Sequence, residues 1–159
     1  MKKSRSTPAI KRDSPQEAPH ALVEKAKKAA LNAYAPYSGF SVGAAVETVD
    51  GRVFTGTNME NASYGLTMCA EVGALQAACV AGALHTLKRI AIVGGPKRKT
   101  KQRQPMATLP CGRCRQLIAE AAQLSGCDIE VWSGDLHSSI LECSTIGDLL
   151  PGAFGSNNL

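Results

Sequence analysis

The pattern of apolar and polar positions predicts helices and strands that alternate along the chain. From about residue 19 to residue 35, apolar side chains recur near helical spacing with lysines between them, which predicts a first helix. Apolar residues then occupy alternate positions over 40–46, and a short apolar run over 53–55 follows the turn Asp50-Gly51. This pattern is typical of a β-hairpin.

The second half of the chain continues this alternation. Residues 69–83 are rich in Ala, Leu and Val without a helix breaker before Gly82, which predicts a helix, and the apolar spacing over 111–125 predicts another. Further strands are expected over 87–94, 128–133 and 139–143, and a short terminal helix over 145–150. This order indicates an α/β domain in which helices cover a mixed sheet of about five strands.

Length and composition favour a single domain. A chain of 159 residues, of which 44% are hydrophobic, can bury one core. We assign this domain to residues 19–159. Residues 1–18 contain Lys, Arg, Pro and Ser but few large apolar side chains, so we expect them to form a disordered basic leader.

The positive charge does not by itself indicate a nucleic-acid partner. Much of the formal net charge of +5 comes from the leader and from a second basic cluster over 97–103. Neither segment has interleaved aromatic residues for base stacking, and runs of like charge are commonly solvated tails or loops. We therefore expect both segments to be solvated, and we do not expect nucleic-acid binding.

The cysteines and the apolar runs bear on the compartment. A chain of this length does not need its six cysteines as disulfide staples, and its first residues lack the apolar run of a signal peptide. No stretch is long and apolar enough to predict a transmembrane helix. We expect reduced thiols, a cytoplasmic location and no membrane partner.

Two short motifs carry candidate chemistry. Cys69-Ala70-Glu71 is followed later in the chain by Pro110-Cys111-Gly112-Arg113-Cys114. Three thiols can hold a zinc ion whose fourth position stays open to water, which is typical of a catalytic rather than a structural site. The spacing is that of the zinc nucleobase deaminases, with a cysteine in the first ligand position. The predicted ligands are Cys69, Cys111 and Cys114.

Glu71 is the candidate catalytic residue. It lies two positions after a predicted ligand, so its carboxylate can reach a water molecule at the metal without binding the metal. There it can act first as a base and then as an acid. Both motifs stand where predicted helices begin, and helix N-termini favour anions, which helps the cysteines remain thiolates.

Spacing alone leaves other uses of these cysteines open. Cys111 and Cys114 could also form a redox pair or half of a structural zinc knot. A knot would need a fourth ligand, and none of the remaining Cys or His residues is paired with another at a short ligand spacing. We interpret these residues as buried thiols or ordinary surface imidazoles: Cys79, Cys127, Cys143, His20, His85 and His137.

With these motifs in view, the chain closely resembles the small homotetrameric class of cytidine deaminases. The resemblance runs from about Tyr34 to Phe154, and its motifs occur in the family's order. They are Tyr34-Ala35-Pro36-Tyr37-Ser38-Gly39-Phe40-Ser41-Val42-Gly43-Ala44-Ala45, Asn58-Met59-Glu60-Asn61-Ala62-Ser63-Tyr64, Cys69-Ala70-Glu71, Pro110-Cys111-Gly112-Arg113-Cys114-Arg115-Gln116 and Leu149-Leu150-Pro151-Gly152-Ala153-Phe154.

The resemblance implies a fold, an activity and an assembly. It implies the three-layer cytidine deaminase-like fold, a single Zn²⁺ per chain, and hydrolytic deamination of cytidine and 2′-deoxycytidine in pyrimidine salvage. The partner would be a small nucleoside, bound in active sites that the subunits of a homotetramer share. Two rival functions make different predictions: a non-catalytic zinc module would be indifferent to Glu71→Gln, and a nucleic-acid-binding or editing protein would show steeply salt-dependent binding.

The resemblance also assigns contacts to the base. Phe40 would stack on the pyrimidine, and Ala70 would offer backbone contacts to it. Tyr64 and Phe154 would line the pocket, partly across subunit boundaries. From the residues alone, Phe40 could equally be a core side chain of its strand, and Phe154 could be ordinary C-terminal packing.

Two polar residues are assigned to the ribose. The resemblance implies that Asn58 and Glu60 hydrogen-bond its hydroxyl groups, for which an amide and a carboxylate are suited. Without the resemblance, residues 58–61 would pass as an ordinary polar loop.

One position departs from the family's pattern. Many members carry Arg directly after the catalytic Glu, whereas this chain has Val72. Three thiolates leave a zinc site negatively charged, and an Arg on the sulfurs would draw off part of that charge. We hypothesise that Arg115, Arg113 or helix N–H groups compensate. Blasticidin S deaminase also resembles the chain over 110–116 and lacks this Arg, but its ribose-binding loop differs, which favours the nucleoside.

Overall fold

A computed structural model describes residues 19–98 and 103–159, so the leader predicted over 1–18 and residues 99–102 lie outside it. The described helices and strands follow the predicted order. They are α1 (His20–Ala30), β1 (Phe40–Thr48), β2 (Val53–Thr57), α2 (Ala70–Val80), β3 (Leu87–Pro96), α3 (Gly112–Ser125), β4 (Glu130–Asp135), β5 (Leu141–Thr145) and α4 (Ile146–Leu149). Short 3₁₀ turns lie at Tyr64–Leu66, Leu84–Thr86 and Ser156–Asn158.

The strands of the described residues form a five-stranded sheet in the order β2-β1-β3-β4-β5. β3 and β4 run parallel, whereas β1 is antiparallel to β2 and β3, and β4 is antiparallel to β5. Parallel neighbours need a crossover connection, and α3 lies in the segment that connects β3 to β4. The predicted α/β domain with a mixed sheet is confirmed.

Helices cover both faces of the sheet, which gives three layers. On one face α1 buries Leu22, Val23 and Ala26 against β1, β3 and β4. On the other face α2, α3 and α4 pack over a larger apolar cluster that includes Ile92 and Ile118. Because side chains alternate along a strand, neighbouring residues of β3 serve the two faces in turn.

Two glycines let helices approach the sheet closely. A Cβ atom at Gly43 of β1 would lie 2.0 Å from the carbonyl oxygen of Ala26 in α1. At Gly56 of β2, a Cβ atom would lie 2.3 Å from the carbonyl oxygen of Ala70 in α2. A larger residue at either position would push a helix off the sheet. Gly56 therefore sets the height of α2, by which we mean the distance between its first turn and the sheet.

The first helix ends earlier than its periodicity predicts. α1 ends at Ala30 rather than near residue 35. Beyond it, the N–H of Tyr34 donates to the carbonyl oxygen of Asn58 at 3.1 Å, and the N–H of Glu60 donates to the carbonyl oxygen of Tyr34 at 2.8 Å. These contacts with distant residues replace helical hydrogen bonds, and apolar spacing cannot reveal them.

The last two strands lie slightly later in the chain than the predicted 128–133 and 139–143. After α3, Gly126 has a left-handed backbone (φ 66°), and the N–H of Cys127 donates to the carbonyl oxygen of Ala122 at 3.2 Å. This helix ending occupies residues 126 and 127, and the strand that follows begins only at Glu130. In residues 19–98 and 103–159, no helix has the length and hydropathy that a membrane crossing requires.

Candidate active site

The predicted metal ligands lie where the N-termini of α2 and α3 meet. Cys69 is the N-cap residue of α2 and Cys111 is the N-cap residue of α3, both with extended backbone. Cys114 follows in the first turn of α3 and is buried. The positive ends of two helix dipoles therefore face the three thiols, an arrangement that favours anionic sulfur.

The three sulfur atoms are spaced as zinc ligands require. The Sγ atoms of Cys69, Cys111 and Cys114 all lie within 4.8 Å of one another, and those of Cys69 and Cys111 are 3.9 Å apart. Zinc–sulfur bonds of about 2.3 Å at tetrahedral angles place two sulfurs about 3.8 Å apart. The cluster therefore fits a tetrahedral metal. Among the described residues, it is the group of Cys, His, Asp or Glu that could hold one.

The thiols are coupled to one another. Hydrogen bonding with Cys114 lowers the pKa of Cys69 to about 6, aided by Cys111 and by the positive charge of Arg113, and this outweighs the opposing effect of burial. The same contact with Cys69, followed by burial, raises the pKa of Cys114. The cluster thus offers a thiolate to a cation near neutral pH.

Glu71 lies in the first turn of α2 and is buried, with 4% of its surface exposed. Burial, and to a lesser extent the negative charge of Cys69, raises the pKa of the Glu71 carboxyl, although its backbone N–H and the Cys114 thiol oppose the shift. A carboxyl group whose pKa is raised toward neutrality can accept a proton and return it. Its surroundings therefore suit the proton transfers predicted for it.

The remaining cysteines and histidines are outside the cluster. Cys79 and Cys143 are exposed, so the interpretation of the remaining cysteines as buried thiols is wrong for both. One lies on α2 and the other on the edge strand β5, where a small side chain can face either core or solvent. Cys127 is half-buried, and burial raises its pKa. His137 is half-buried too, with its Nε2 2.7 Å from the carbonyl oxygen of Pro96.

Asn58 is fixed against β1. Its Oδ1 accepts the N–H of Val42 at 2.8 Å, and its Nδ2 donates to the carbonyl oxygen of Phe40 at 2.9 Å. An amide oxygen can accept a second hydrogen bond and an amide nitrogen can donate a second one. The structure thus orients Asn58 beside the predicted stacking residue and leaves capacity for a ligand hydroxyl.

Glu60 is tied to the loop before β1. Its Oε2 accepts the N–H of Tyr37 at 2.8 Å and the N–H of Ser38 at 3.2 Å. Hydrogen bonding with the Ser38 side chain, then with these two N–H groups, lowers the pKa of Glu60 and outweighs burial. The carboxylate is therefore ionised and oriented as an acceptor. Ala70 is the first residue of α2, is buried, and directly precedes Glu71.

In the part of the chain that the structure describes, four aromatic side chains are exposed: Tyr34, Tyr37, Tyr64 and Phe154, with 57%, 52%, 76% and 60% of their surfaces exposed. We refer to Tyr37, Tyr64 and Phe154 together as the aromatic surface. The rings of Tyr37 and Tyr64 meet edge to face at a centroid distance of 5.9 Å. A single chain therefore leaves Tyr64 and Phe154, both predicted to line the pocket, open to solvent.

Arg115 and Gln116, which directly follow Cys114, hold the C-terminal segment against α3. Arg115 donates through Nε to the carbonyl oxygen of Pro110 at 2.9 Å and through Nη1 to that of Leu149 at 3.0 Å. Gln116 donates through Nε2 to the carbonyl oxygen of Phe154 at 2.8 Å. The backbone of Phe154 is thus anchored to the helix that carries two ligands, a role that the position of Gln116 in its motif did not reveal.

Sequence reasoning also missed an ion pair beside Phe40. Asp135, at the end of β4, is 1% exposed and lies 2.5 Å from Nη1 of Arg103. The guanidinium carbon of Arg103 is 5.6 Å from the centroid of the Phe40 ring. The prediction that the second basic cluster is solvated is therefore wrong for Arg103. The partners are 32 positions apart, and no local pattern signals the pair.

Comparison with known proteins decides the family. The family model for the cytidine and deoxycytidylate deaminase zinc-binding region matches residues 16–125, which include all three thiols and Glu71. The chain belongs to the cytidine and deoxycytidylate deaminase family. This deaminase is accordingly a zinc-dependent enzyme, and its three-thiol cluster fits the metal that the matched region binds.

Individual relatives agree with the family assignment. Cytidine deaminase of Halalkalibacterium halodurans is 44% identical over 138 residues, which are 87% of this chain and 95% of that protein. Cytidine deaminase of Mycobacterium tuberculosis is 41% identical over 139 residues, or 84% of this chain and 87% of that protein. The crystal structure of cytidine deaminase from Burkholderia pseudomallei matches with a TM-score of 0.72 and 45% identity, covering 87% of this chain and 100% of that chain. The resemblance, fold and enzyme class predicted from the sequence are confirmed.

The structure bears on which groups compensate for Val72, where many family members have Arg. Arg115 donates to the backbone carbonyl oxygens of Pro110 and Leu149, so two of its guanidinium N–H groups are already used. Arg113 instead contributes to lowering the pKa of Cys69. Arg113 and the helix N-termini are therefore the better candidates for balancing the charge of three thiolates in this deaminase.

Proposed function

We propose that this chain hydrolyses cytidine and 2′-deoxycytidine to uridine and 2′-deoxyuridine, with release of ammonia, as a step of pyrimidine salvage. The observation that carries the proposal is a buried carboxyl group, that of Glu71, in the turn beside three clustered thiols. A closed structural site would need a fourth protein ligand and has no use for such a carboxyl. The arrangement therefore supports a hydrolytic site.

The proposed reaction depends on proton transfers by Glu71. Cys69, Cys111 and Cys114 would hold the zinc ion, which when bound supplies Lewis-acid chemistry to a water molecule. Glu71 takes a proton from this water and delivers it to the ring nitrogen N3 of the pyrimidine. The water oxygen adds to C4, the C4–N4 bond breaks, and the second water proton leaves with the amino group as ammonia. The raised pKa of Glu71 supports a group that both accepts and donates.

The proposed substrate contacts lie along β1 and the start of α2. Phe40 would stack on the pyrimidine, and backbone groups of Ala70 would contact its polar edge. Asn58 and Glu60 would bind the ribose hydroxyls. Their support is that both are already oriented, Asn58 by the backbone of β1 and Glu60 by the N–H groups of the preceding loop.

We further propose a homotetramer in which neighbouring subunits complete each active site with Tyr64 and Phe154. The support is the exposure of these aromatic side chains and the contact between Tyr37 and Tyr64, because exposed aromatic groups commonly mark an interaction site. Gln116 holds the backbone of Phe154 while its ring stays exposed. An exposed ring on a fixed backbone supports a contact with a neighbouring subunit rather than with the core of its own chain.

The proposed partner is a free nucleoside, and the proposed location is the cytoplasm. All six cysteines are free, which suits a reducing compartment. Subunits packed around the pocket would exclude a polynucleotide strand. Binding to RNA or DNA would instead show a steep dependence on salt, which is the observation that would favour the rival function.

The direct test follows the ultraviolet absorbance of cytidine after addition of the zinc-loaded protein. We expect the absorbance to fall as uridine forms, and Glu71→Gln to lower kcat by about 10³-fold or more, because the amide cannot carry the proton. Glu120→Gln, an exposed glutamate on α3, is the matched control and should keep wild-type turnover.

The zinc content of each variant separates catalysis from metal binding. The proposal predicts that Glu71→Gln binds zinc as the wild type does while losing turnover. A protein that binds zinc but leaves cytidine and 2′-deoxycytidine unchanged would overturn the proposed function in favour of a non-catalytic zinc module. Wild-type turnover in Glu71→Gln would show that Glu71 does not carry the proton.

A further inference from the structure

The Phe40 ring lies close to a glycine, and an arginine lies over the ring. A Cβ atom at Gly94 of β3 would lie 2.9 Å from Cε1 of Phe40, so the absence of a side chain there gives the ring its room. The guanidinium carbon of Arg103 lies 5.6 Å from the ring centroid. A guanidinium over an aromatic face is attracted by the ring quadrupole, which favours one orientation of the ring.

The guanidinium is itself held in place. Nη1 of Arg103 is 2.5 Å from Oδ2 of Asp135, and the same oxygen accepts the N–H of Met106 at 3.3 Å. Oδ1 of Asp135 accepts the N–H of His137 at 2.8 Å. Burial opposes the charged form of Asp135, but the N–H of His137, the Arg103 guanidinium and the N–H of Met106 together outweigh it and keep the pKa of Asp135 below its usual value, so the carboxylate is charged. An ion pair with so buried a carboxylate is costly to break.

The chain is also anchored where the second basic cluster begins. The N–H of Lys97 donates to the carbonyl oxygen of Gly39 at 2.7 Å, next to Phe40 in sequence. Nε2 of His137 lies 2.7 Å from the carbonyl oxygen of Pro96. The segment is therefore attached at both of its described ends. Lys97 contacts Gly39, which precedes β1, and Arg103 contacts Asp135, at the end of β4.

We propose that Arg103 is a positioning residue, which Asp135 fixes in place and which holds the Phe40 ring in the orientation that stacks on the pyrimidine. This inference rests on the proposed function, because it concerns how the same site binds its substrate. Phe40 would touch the base in the ground state and in the transition state alike. Loss of the Arg103 contact should therefore raise KM and leave kcat nearly unchanged.

The chain offers a matched control. Arg52 is ion-paired with Asp50 at 2.9 Å, and its guanidinium carbon lies 5.9 Å from the Phe54 ring, but this group belongs to the β1–β2 hairpin. Arg103→Ala should raise KM for cytidine by about threefold to tenfold, which is typical for loss of an aromatic contact, with kcat within about twofold. Arg103→Lys should restore KM in part. Arg52→Ala and Arg98→Ala, which remove the same charge elsewhere, should not change KM.

A double-mutant cycle tests whether Arg103 acts through the ring. In a Phe40→Leu background, Arg103→Ala should change KM by less than about twofold, because its partner is gone. Independent effects of the two substitutions on KM would overturn the proposal. A fall of kcat in Arg103→Ala as large as the rise of KM would also overturn the proposal, since that result would indicate general damage to the site.

A readout without substrate separates this proposal from the proposed function. The chain has three phenylalanines, so fluorine NMR of protein labelled with 4-fluorophenylalanine gives few resonances, and Phe40→Leu assigns the one from Phe40. Arg103→Ala should shift the Phe40 resonance, and Arg52→Ala should shift that of Phe54 instead. An unmoved Phe40 resonance, or wild-type KM in Arg103→Ala, would overturn the proposal while cytidine turnover by the wild type upheld the proposed function. Absence of that turnover would overturn both.

Discussion

The metal cluster and the aromatic surface are two parts of the proposed site that differ in completeness. At the cluster, Cys114 and Glu71 are 0% and 4% exposed, and the three predicted ligands belong to a single chain. On the aromatic surface, Tyr64 and Phe154 are 76% and 60% exposed. One chain thus builds the reactive end of the proposed site, and in the proposed tetramer a neighbouring subunit would cover the other end.

The difference has a physical origin. Ligands at two helix N-termini are brought together by the packing of α2 and α3 within one domain, so a monomer can supply all of them. Exposed aromatic rings gain free energy only when another surface removes them from water. The contrast predicts that zinc binding depends on a single chain, whereas substrate binding depends on the assembly.

Loss of a ligand should give the largest effect. Cys114→Ser replaces a thiolate with a hydroxyl, a poor ligand for zinc, and should reduce zinc content from about one ion per chain to less than about 0.1. Turnover should fall with the zinc content, as measured by atomic absorption on the same sample. Cys79→Ser, at an exposed cysteine of the same chain, is the control and should keep both. Full zinc in Cys114→Ser would show that the cluster is not the metal site.

Truncation of the aromatic surface should give the next largest effect. Phe154→Ala should lower kcat/KM by about tenfold to hundredfold, as expected for a central interface residue, while zinc content stays at the wild-type level. Leu159→Ala, which removes another exposed apolar side chain, should change neither. A Phe154→Ala protein with less zinc would break the comparison, because the two parts would then not be independent.

Mixing the two impaired variants Phe154→Ala and Glu71→Gln sharpens the same comparison. When Phe154→Ala and Glu71→Gln chains are refolded together, some sites combine an intact Glu71 with a neighbour's intact Phe154. Equal mixing should restore about a quarter of the wild-type activity, if subunits assemble at random into closed oligomers. No recovery, with mixed oligomers demonstrated by mass spectrometry, would place both residues in the site of one chain.

A smaller effect should follow from lifting a helix off the sheet. Gly56→Ala places a Cβ atom against the backbone of α2, and Gly43→Ala does the same to α1. Each should reduce the free energy of unfolding by about 1–3 kcal/mol, measured by urea denaturation. Only Gly56→Ala should also weaken zinc binding, because α2 carries Cys69. Equal zinc affinity in the two variants would show that the height of α2 does not control the cluster.

The sequence predicted the two motifs of the cluster because the geometry within each motif is local. Cys69 and Glu71 lie within one helical turn, and so do Cys111 and Cys114, so that spacing along the chain fixes spacing in space. The sheet and its order of elements were also predictable from apolar periodicity. The end of α1 was not, because the backbone of Tyr34 pairs with residues near Met59.

Contacts between distant residues were the main feature that the sequence concealed. The ion pair of Arg103 with Asp135 joins a charged segment to a strand end, and each residue alone has an ordinary interpretation. The anchoring of Phe154 by Gln116 similarly depends on the path of the C-terminal segment. Exposure of Cys79 was equally hidden, since a small, weakly polar side chain carries little information about burial.

The smallest expected effect concerns the charge of the cluster. Arg113 helps to lower the pKa of Cys69, and zinc binds the deprotonated thiol, so zinc is retained above this pKa and released as the pH falls. Arg113→Ala raises the pKa of Cys69 and should therefore move the midpoint of zinc release to higher pH by roughly 0.2–0.7 units, the equivalent of an exposed charge pair. Zinc release is measured against a chelating dye across a pH series. Arg113→Lys, which keeps the charge, should stay near the wild-type midpoint. An unchanged midpoint in Arg113→Ala would leave the helix N-termini as the groups that compensate for the absence of Arg at position 72. Backbone N–H groups rather than side chains would then balance the negative charge of the cluster.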